Sequence, residues 1–96
     1  MNILDNPLFP LGQTVATPGA LAAAQEAGDD LVKYLRLHHT GHWGEMSEDD
    51  KLQNEIAIRT HDRRIFSAYH LKDGTKIWII TERDFSVTTV LLPEEY

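Results

Sequence analysis

The sequence contains no cysteine among its 96 residues. That absence excludes disulfide bonds, thiolate zinc sites and a cysteine nucleophile, and it is typical of the reducing cytoplasm, where we expect this protein to reside. No apolar run approaches the roughly 20 residues that a membrane-spanning helix needs. The first ten residues, MNILDNPLFP, lack the basic start and the continuous apolar segment of a signal peptide. We therefore expect no membrane association.

An excess of basic residues is also missing. The chain has 9 lysine and arginine residues against 15 aspartate and glutamate residues, so its formal net charge is −6. Free-standing nucleic-acid-binding proteins are usually basic, because contacts to phosphates supply most of their affinity. The charge therefore argues against nucleic acid as the main ligand and favours simple solubility or a basic protein partner. Nothing in the sequence indicates a cofactor, and we expect none.

The length fits a single domain that spans residues 1–96. Hydrophobic residues make up 42% of the chain and charged residues 25%, near the averages of globular proteins, so wholesale disorder is not expected. Residues 1–11 contain two prolines and no apolar periodicity. They predict an irregular N-terminal arm with apolar anchors at Ile3, Leu4, Leu8 and Phe9.

Three helices are predicted after the arm. Thr17 and Pro18 are a typical N-cap and first helical residue, and Gly28 is a typical end. Asp29 or Asp30 then begins a second helix. A third begins at Ser47 and is expected to turn Leu52 and Ile56 inward, together with Ile58 or Ala57.

The last third of the chain predicts three strands, at Ile65–Leu71, Lys76–Thr81 and Ser86–Leu92. Asp73-Gly74 predicts a two-residue hairpin turn between the first two strands, because both positions of that turn need positive φ. The middle strand is apolar on both faces and should be central.

The resulting fold class is α+β, with two or three N-terminal helices packed on a C-terminal three-stranded antiparallel β-meander. Residues 12–16 predict a short N-terminal edge strand. The last strand, Ser86–Leu92, carries no charged side chain, so its edge is available to another chain. The arm, a helix or the strand at 12–16 is the alternative cover for that edge.

The segment HHTGHWGE, residues 38–45, places His38, His39 and His42 close to Glu45. Imidazoles and carboxylates are ligands for divalent metals. The spacing matches no standard motif, however, since Gly41 interrupts the helix that would align the rings. We expect no metal site there and interpret the segment as the end of a helix with His38 partly packed.

An enzymatic interpretation needs a general base and a partner for it. A histidine with a nearby carboxylate is the usual choice, although no nucleophile lies in a recognisable elbow. The candidates for catalysis are His39, Glu45, Arg64, Ser67 and Glu82.

A binding interpretation uses surface features instead. Trp43 lies between two glycines, where it either closes the core or serves as an exposed anchor for a partner. The acidic cluster suits a basic partner, and the arginines suit a phosphate or a carboxylate. The candidates for binding are Trp43, Glu48, Asp49, Asp50, Arg63 and Arg64.

Three stretches, LGQTVATPGAL, HTGHWGEMSEDD and DGTKIWIITERDFSVTTVLLPEEY, resemble a family of short bacterial proteins. These are often encoded on plasmids and other mobile elements, and some carry the label "plasmid-related". The resemblance runs from about Leu11 to Tyr96. It implies no activity and no catalytic residue. Family members more often read Gly-Asp-Trp-Gly where this chain has His42 before Trp43, which argues against a shared metal role for His42.

Three hypotheses for function follow. The first is an acidic accessory protein of a mobile element that binds a protein and inhibits a host defence complex. The second is a small ribonuclease-like toxin, or another hydrolytic enzyme, with a His/Glu/Arg site. The third is a structural homodimer formed through the free sheet edge.

Overall fold

The computed structural model describes residues 6–96, which form three α-helices and one four-stranded sheet. The anchors predicted at Ile3 and Leu4 lie outside the described residues. The α+β class is confirmed. The elements in chain order are β1 (Gln13–Ala16), α1 (Pro18–Ala27), α2 (Leu31–His39), α3 (Glu48–Thr60), β2 (Ile65–His70), β3 (Lys76–Thr81), β4 (Val87–Leu91) and a 3₁₀ turn (Pro93–Glu95).

The helices begin where their capping residues predict. The side chains of Thr17, Asp30 and Ser47 each accept a hydrogen bond from a main-chain N–H in the first turn of α1, α2 and α3, respectively. Gly28 ends α1 in the left-handed conformation, with φ of 63°. None of the helices within residues 6–96 is both long and apolar enough to cross a membrane.

The sheet is mixed, with strand order β1-β4-β3-β2. The last three strands form the predicted antiparallel meander. The N-terminal edge strand is present, but it pairs parallel to β4, with Gln13 opposite Val87 and Ala16 opposite Val90. The helices supply the long connection that a parallel pair requires. Because β1 occupies the outer side of β4, the alternative in which the strand at 12–16 covers that edge is confirmed, and the alternative of an edge open to another chain is wrong for Val87–Val90.

The loop between β2 and β3 differs from the predicted two-residue turn. The N–H of Leu71 donates to Thr75 O at 2.8 Å, and the N–H of Gly74 donates to Leu71 O at 2.8 Å. Three residues, 72–74, therefore form the loop, and only Gly74 has positive φ, at 91°. The two-residue prediction is wrong because a turn followed by one left-handed glycine serves the same strand twist.

One face of the sheet packs against α1 and α2 and holds the main core. Tyr34 of α2 lies against Tyr69 of β2, with ring centroids 5.4 Å apart. A second cluster lies between the arm, α3 and the start of β2. The buried members of the first cluster are Ala20, Tyr34, Tyr69, Leu71, Ile77, Ile79 and Val90, and those of the second are Phe9, Trp43, Ala57 and Ile65.

The outer edge of β2 is closed by groups from other elements. Asn54 of α3 donates from Nδ2 to Phe66 O at 2.7 Å and accepts at Oδ1 from the N–H of Phe66 at 3.0 Å. Two residues on, Ala68 donates its N–H to Trp43 O at 3.1 Å and accepts from the N–H of Glu45 at 2.8 Å. The edge therefore has main-chain groups already paired at both positions.

This arrangement explains why α3 turns Ala57 inward as predicted and leaves Ile56 and Ile58 half-buried, but does not turn Leu52 inward. Leu52 is 53% exposed, whereas Asn54 and Ala57 are buried. The prediction of an inward Leu52 is wrong because the helix faces a strand edge, which needs hydrogen bonds more than apolar cover.

Candidate functional site

The three histidines around the end of α2 lie in different surroundings. His38 is fully buried, and its Nε2 lies 2.8 Å from Thr81 Oγ1. His39 is half-buried and His42 is exposed. In the part of the chain that the structure describes, no three histidine, cysteine, aspartate or glutamate side chains are grouped so as to hold a metal ion. The structure thus does not bring His38, His39 and His42 together as ligands.

His38 is instead the centre of a buried chain of hydrogen bonds, whose direction can be assigned from its far end. Thr88 Oγ1 lies 2.7 Å from the carbonyl oxygen of Leu11, which can only accept, so Thr88 donates there. Thr88 must then accept from the hydroxyl of Thr81 at 2.7 Å. Thr81 in turn accepts from Nε2–H of His38. The remaining ring nitrogen, Nδ1, is an acceptor for the hydroxyl of Ser67.

This assignment makes the imidazole neutral. Burial lowers the pKa of His38 to about 3, and the neighbouring His39 adds to the effect. A serine that donates to an imidazole is also the arrangement of a Ser–His nucleophile pair. Here, however, the second nitrogen bonds a threonine rather than a carboxylate, and Ser67 and His38 are 1% and 0% exposed. The pair therefore links α2 to the sheet and offers no access to a substrate.

The opposite face of the sheet carries a cleft of about 600 Å³. Its floor is formed by Phe66, Ala68 and Trp78, of which the last two are directly opposite each other on β2 and β3. The ring of Tyr96 stands at a steep angle to Phe66 and Trp78, with centroids 6.1 and 5.6 Å away. The helix α3 forms one side of the cleft. The floor is aromatic and the rim is polar.

Two arginines line the cleft, and both have counter-charges within the chain. Arg63 meets Asp62 through two contacts, Nε to Oδ1 at 2.8 Å and Nη2 to Oδ2 at 3.0 Å. The hydrogen bond from Arg63 holds the pKa of Asp62 well below its usual range. Arg64 lies 3.9 Å from Glu82, and its guanidinium is 5.8 Å from the ring centroid of Tyr96. Neither arginine is therefore an uncompensated cation.

The acidic part of the lining comes from Glu45 and Asp50. Glu45 contacts Nδ1 of His70, whose side chain lies on the cleft face of β2. The carboxylate and the imidazole form an ion pair when the imidazole is protonated. Asp50 lies in the first turn of α3. Within residues 6–96 neither Asp50 nor the other free-standing charge of the lining, Lys76, has an ion-pair partner.

The cleft unites part of the predicted site. Glu45, Asp50, Arg63 and Arg64 line it, and Ser67 borders it while its hydroxyl bonds His38 on the other face. Glu82 lies beside it through Arg64. The structure does not bring the remaining candidates, His39, Trp43, Glu48 and Asp49, into the lining.

Trp43 takes the core-closing role, one of its two predicted alternatives. It is 4% exposed and stacks on Phe9 with centroids 6.0 Å apart. An indole at that depth is not an exposed anchor. Glu48 and Asp49 are exposed on the first turn of α3 and lie outside the cleft.

Sequence reasoning missed the cleft's aromatic floor and His70, which lies on the same face of β2 and contacts Glu45. The alternation of β2 and β3 puts Phe66, Ala68 and His70 on the same face as Lys76 and Trp78. That pattern was readable from the strands. What it did not indicate was that Trp78 is only half-buried, at the floor of a cleft.

Comparisons of this chain with protein-family models, with curated proteins and with solved structures found no match.

Proposed function

We propose that this protein is a small acidic binding module, an accessory protein of a mobile element, and that its cleft receives a segment of a protein partner. The observation that carries the proposal is the aromatic floor of Phe66 and Trp78, with Tyr96 standing over it, in a cleft beside α3. Large, rigid aromatic side chains supply much contact area at a small cost in conformational entropy. The resemblance to plasmid-encoded proteins makes a host defence complex the partner class that we propose.

Charge supports a protein partner over a nucleic acid. Arg63 and Arg64 already face Asp62 and Glu82, which leaves Lys76 as the one unpaired cation that the described lining offers to phosphates. The chain as a whole carries a net charge of −6 and repels a polyanion. Asp50 stands without an ion-pair partner among the described residues.

The chemistry of the lining specifies the kind of segment. A lysine or arginine of the partner would lie over the aromatic floor, where a cation is attracted to the ring faces. The carboxylates of Asp50 and Glu45 would accept its hydrogen bonds. Apolar residues on either side of that cation would cover the remainder of Trp78. The partner segment is therefore basic at its centre and apolar at its flanks.

The test compares neighbouring acids that differ only in their relation to the cleft. Tagged wild-type chain, Asp50→Lys, Tyr96→Ala and the control Asp49→Lys are used to purify partners from a host lysate. Asp49 and Asp50 are both exposed on the first turn of α3, but only Asp50 lines the cleft. We expect one stoichiometric partner with the wild type and the control, and at least tenfold less with the two cleft variants. Recovery of no partner, or equal recovery with all four proteins, would refute the proposal.

A second candidate function, a ribonuclease-like or other hydrolytic activity, is favoured by one observation. Glu45 and His70 are in contact, and Arg64 lines the same cleft. A carboxylate and an imidazole side by side suit general acid–base chemistry, with the arginine beside a developing negative charge. In this version His70 has the role that the sequence suggested for His39.

Inducible expression separates the two candidates. Growth arrest that is relieved by His70→Ala and by Glu45→Gln, together with cleavage of single-stranded RNA by the purified wild type, would favour the enzyme. Asp49→Asn serves as the control that should leave any activity intact. Harmless expression and intact RNA would remove the ribonuclease-like candidate and favour the binding module.

A further inference from the structure

The two edges of the sheet differ in whether their outward main-chain groups are hydrogen-bonded. The outer edge of β2 is closed by Asn54 and by the segment 43–45. The outer edge of β1 is open: Gln13, Thr14 and Val15 are exposed and Ala16 is half-buried. An open strand edge is a template for another strand.

The register shows which groups of β1 point outward. The N–H of Gln13 donates to Ser86 O at 2.9 Å, and the N–H of Thr17 donates to Val90 O at 3.0 Å. Alternate residues of a strand face the same neighbour, so residues 13, 15 and 17 direct their main-chain groups toward β4. Thr14 and Ala16 therefore direct theirs outward. No group within residues 6–96 bonds these outward N–H and C=O groups.

An apolar groove of about 220 Å³ runs beside this edge. Leu21 of α1 and Leu31 and Leu35 of α2 line it together with β1. Leu21 is 55% exposed and Val15 is 40% exposed. No residue that lines this groove carries a charge, so the edge and its groove form one neutral, apolar strip, which we call the β1 strip.

We propose that the β1 strip binds a second copy of this chain, with the two β1 strands antiparallel about a twofold axis at Val15. In that arrangement Thr14 of each copy lies opposite Ala16 of the other. Both pairs have outward main-chain groups, so each exchanges two hydrogen bonds. The sheet then continues from one copy into the next, and the exposed leucines beside β1 are brought together.

The chemistry favours a second copy over another partner. Copies with a net charge of −6 repel each other across most of their surface, and the β1 strip is a neutral region where they can approach. A twofold interface needs a surface that complements itself, which an antiparallel pair of identical strands provides. Since the β2 edge is closed, pairing stops at two copies and no fibre grows.

The dimer is independent of the proposed binding function. The groove beside β1 and the cleft over Trp78 have no lining residue in common. A dimer therefore leaves both clefts accessible, and a failure of one proposal does not affect the other.

The test is the mass of the purified chain in solution, measured by light scattering and sedimentation over a wide concentration range. We expect the wild type at about twice the monomer mass of 10.9 kDa. Leu21→Lys should raise the dissociation constant at least tenfold. Leu52→Lys is the matched control, because Leu52 is 53% exposed on α3, close to the 55% of Leu21, and lies outside the β1 strip.

A second variant addresses the hydrogen bonds rather than the apolar contacts. Thr14→Pro removes one outward N–H, and proline is tolerated on an edge strand. The variant should keep the circular dichroism of the wild type and should also dissociate at least tenfold more readily. A wild-type chain at 10.9 kDa at every concentration would overturn the proposal. So would a dimer that survives both variants or one that Leu52→Lys disrupts equally.

Discussion

His61 and Phe85 contact each other ring to ring, with centroids 4.6 Å apart, and they are the two non-glycine residues of the described chain with positive φ. His61 ends α3 with φ of 56°, and Phe85 ends the turn after β3 with φ of 61°. A left-handed conformation costs a residue with a side chain about 1–3 kcal/mol. The contact of the two rings, together with that of Phe85 on Phe9, offsets part of this cost.

Substitutions at His61 should reveal the left-handed conformation. His61→Val is expected to lower the free energy of unfolding by about 1–2 kcal/mol, because a β-branched residue is strained at positive φ. His61→Gly relieves the backbone but loses the ring contact, so its net effect should stay within about 1 kcal/mol. Urea denaturation of both variants measures the difference. Equal effects of valine and glycine would argue against a left-handed residue at this position.

Asn54 should contribute more to the free energy of unfolding than its position within α3 suggests. Asn54→Ala leaves the N–H and the C=O of Phe66 without their partners at a partly buried strand edge. Each unsatisfied buried group costs about 1–3 kcal/mol, and because these two are only partly buried we expect the lower part of the combined range, a loss of about 2–4 kcal/mol in urea denaturation. The exposed neighbour Glu55 is the control, and Glu55→Ala should change stability by less than about 0.5 kcal/mol. Similar losses for both would contradict the edge-closing role.

Replacement by alanine of two glycines with left-handed backbones should destabilise the fold by very different amounts. A Cβ at Gly44 would collide with Ala68 O and lie 2.7 Å from the ring of Tyr69, whereas a Cβ at Gly28 would meet nothing within 4 Å. Gly28→Ala should therefore cost only the backbone strain, about 1 kcal/mol. Gly44→Ala should cost several times more, since the segment that closes β2 must move. Thermal denaturation of the pair tests this, and equal shifts in Tm would contradict the close approach.

The buried His38 predicts a specific loss of stability in mild acid. Its pKa is about 3 in the folded chain and near 6.5 when unfolded, so the unfolded chain takes up the proton first as the pH falls. The contribution is complete above pH 6.5 and is lost between pH 6.5 and 3, at up to about 1.4 kcal/mol per pH unit.

His38→Gln removes the titrating group and serves as the reference for this pH dependence. Between pH 6.5 and 5, which lies above the range where carboxylates titrate, the wild type should lose stability faster than the variant. Urea denaturation at several pH values measures both slopes. Parallel slopes for the two proteins would show that His38 is not buried in its neutral form.

The helix boundaries were predictable because their signals are local. Thr17, Asp30 and Ser47 each cap a helix within three residues of their own position. The parallel pairing of β1 with β4 was not predictable, since nothing near Gln13 indicates its distant partner at Val87. The inward position of Asn54 was missed for a related reason, because hydrogen-bonding demand from β2 decides it rather than hydrophobic periodicity.

The candidate site was predictable only in pieces. Glu45, Arg63 and Arg64 were singled out for their chemistry, and the fold brings them to one cleft. The aromatic floor was missed because a strand's alternation says which residues share a face but not which face stays uncovered. Ser67 was singled out for its hydroxyl, but the fold directs that hydroxyl into the core toward His38.

The parallel pairing of β1 with β4 also has a consequence for how the chain folds. β1 lies near the start of the sequence and its partner near the end, so this contact closes a very long loop and carries a high entropic cost. Contacts of such high sequence separation are associated with slow folding. During synthesis β1 stays unpaired with β4 until β4 has left the ribosome. We therefore expect the strand that we propose to join two copies to enter the sheet late, so that assembly follows completion of each monomer.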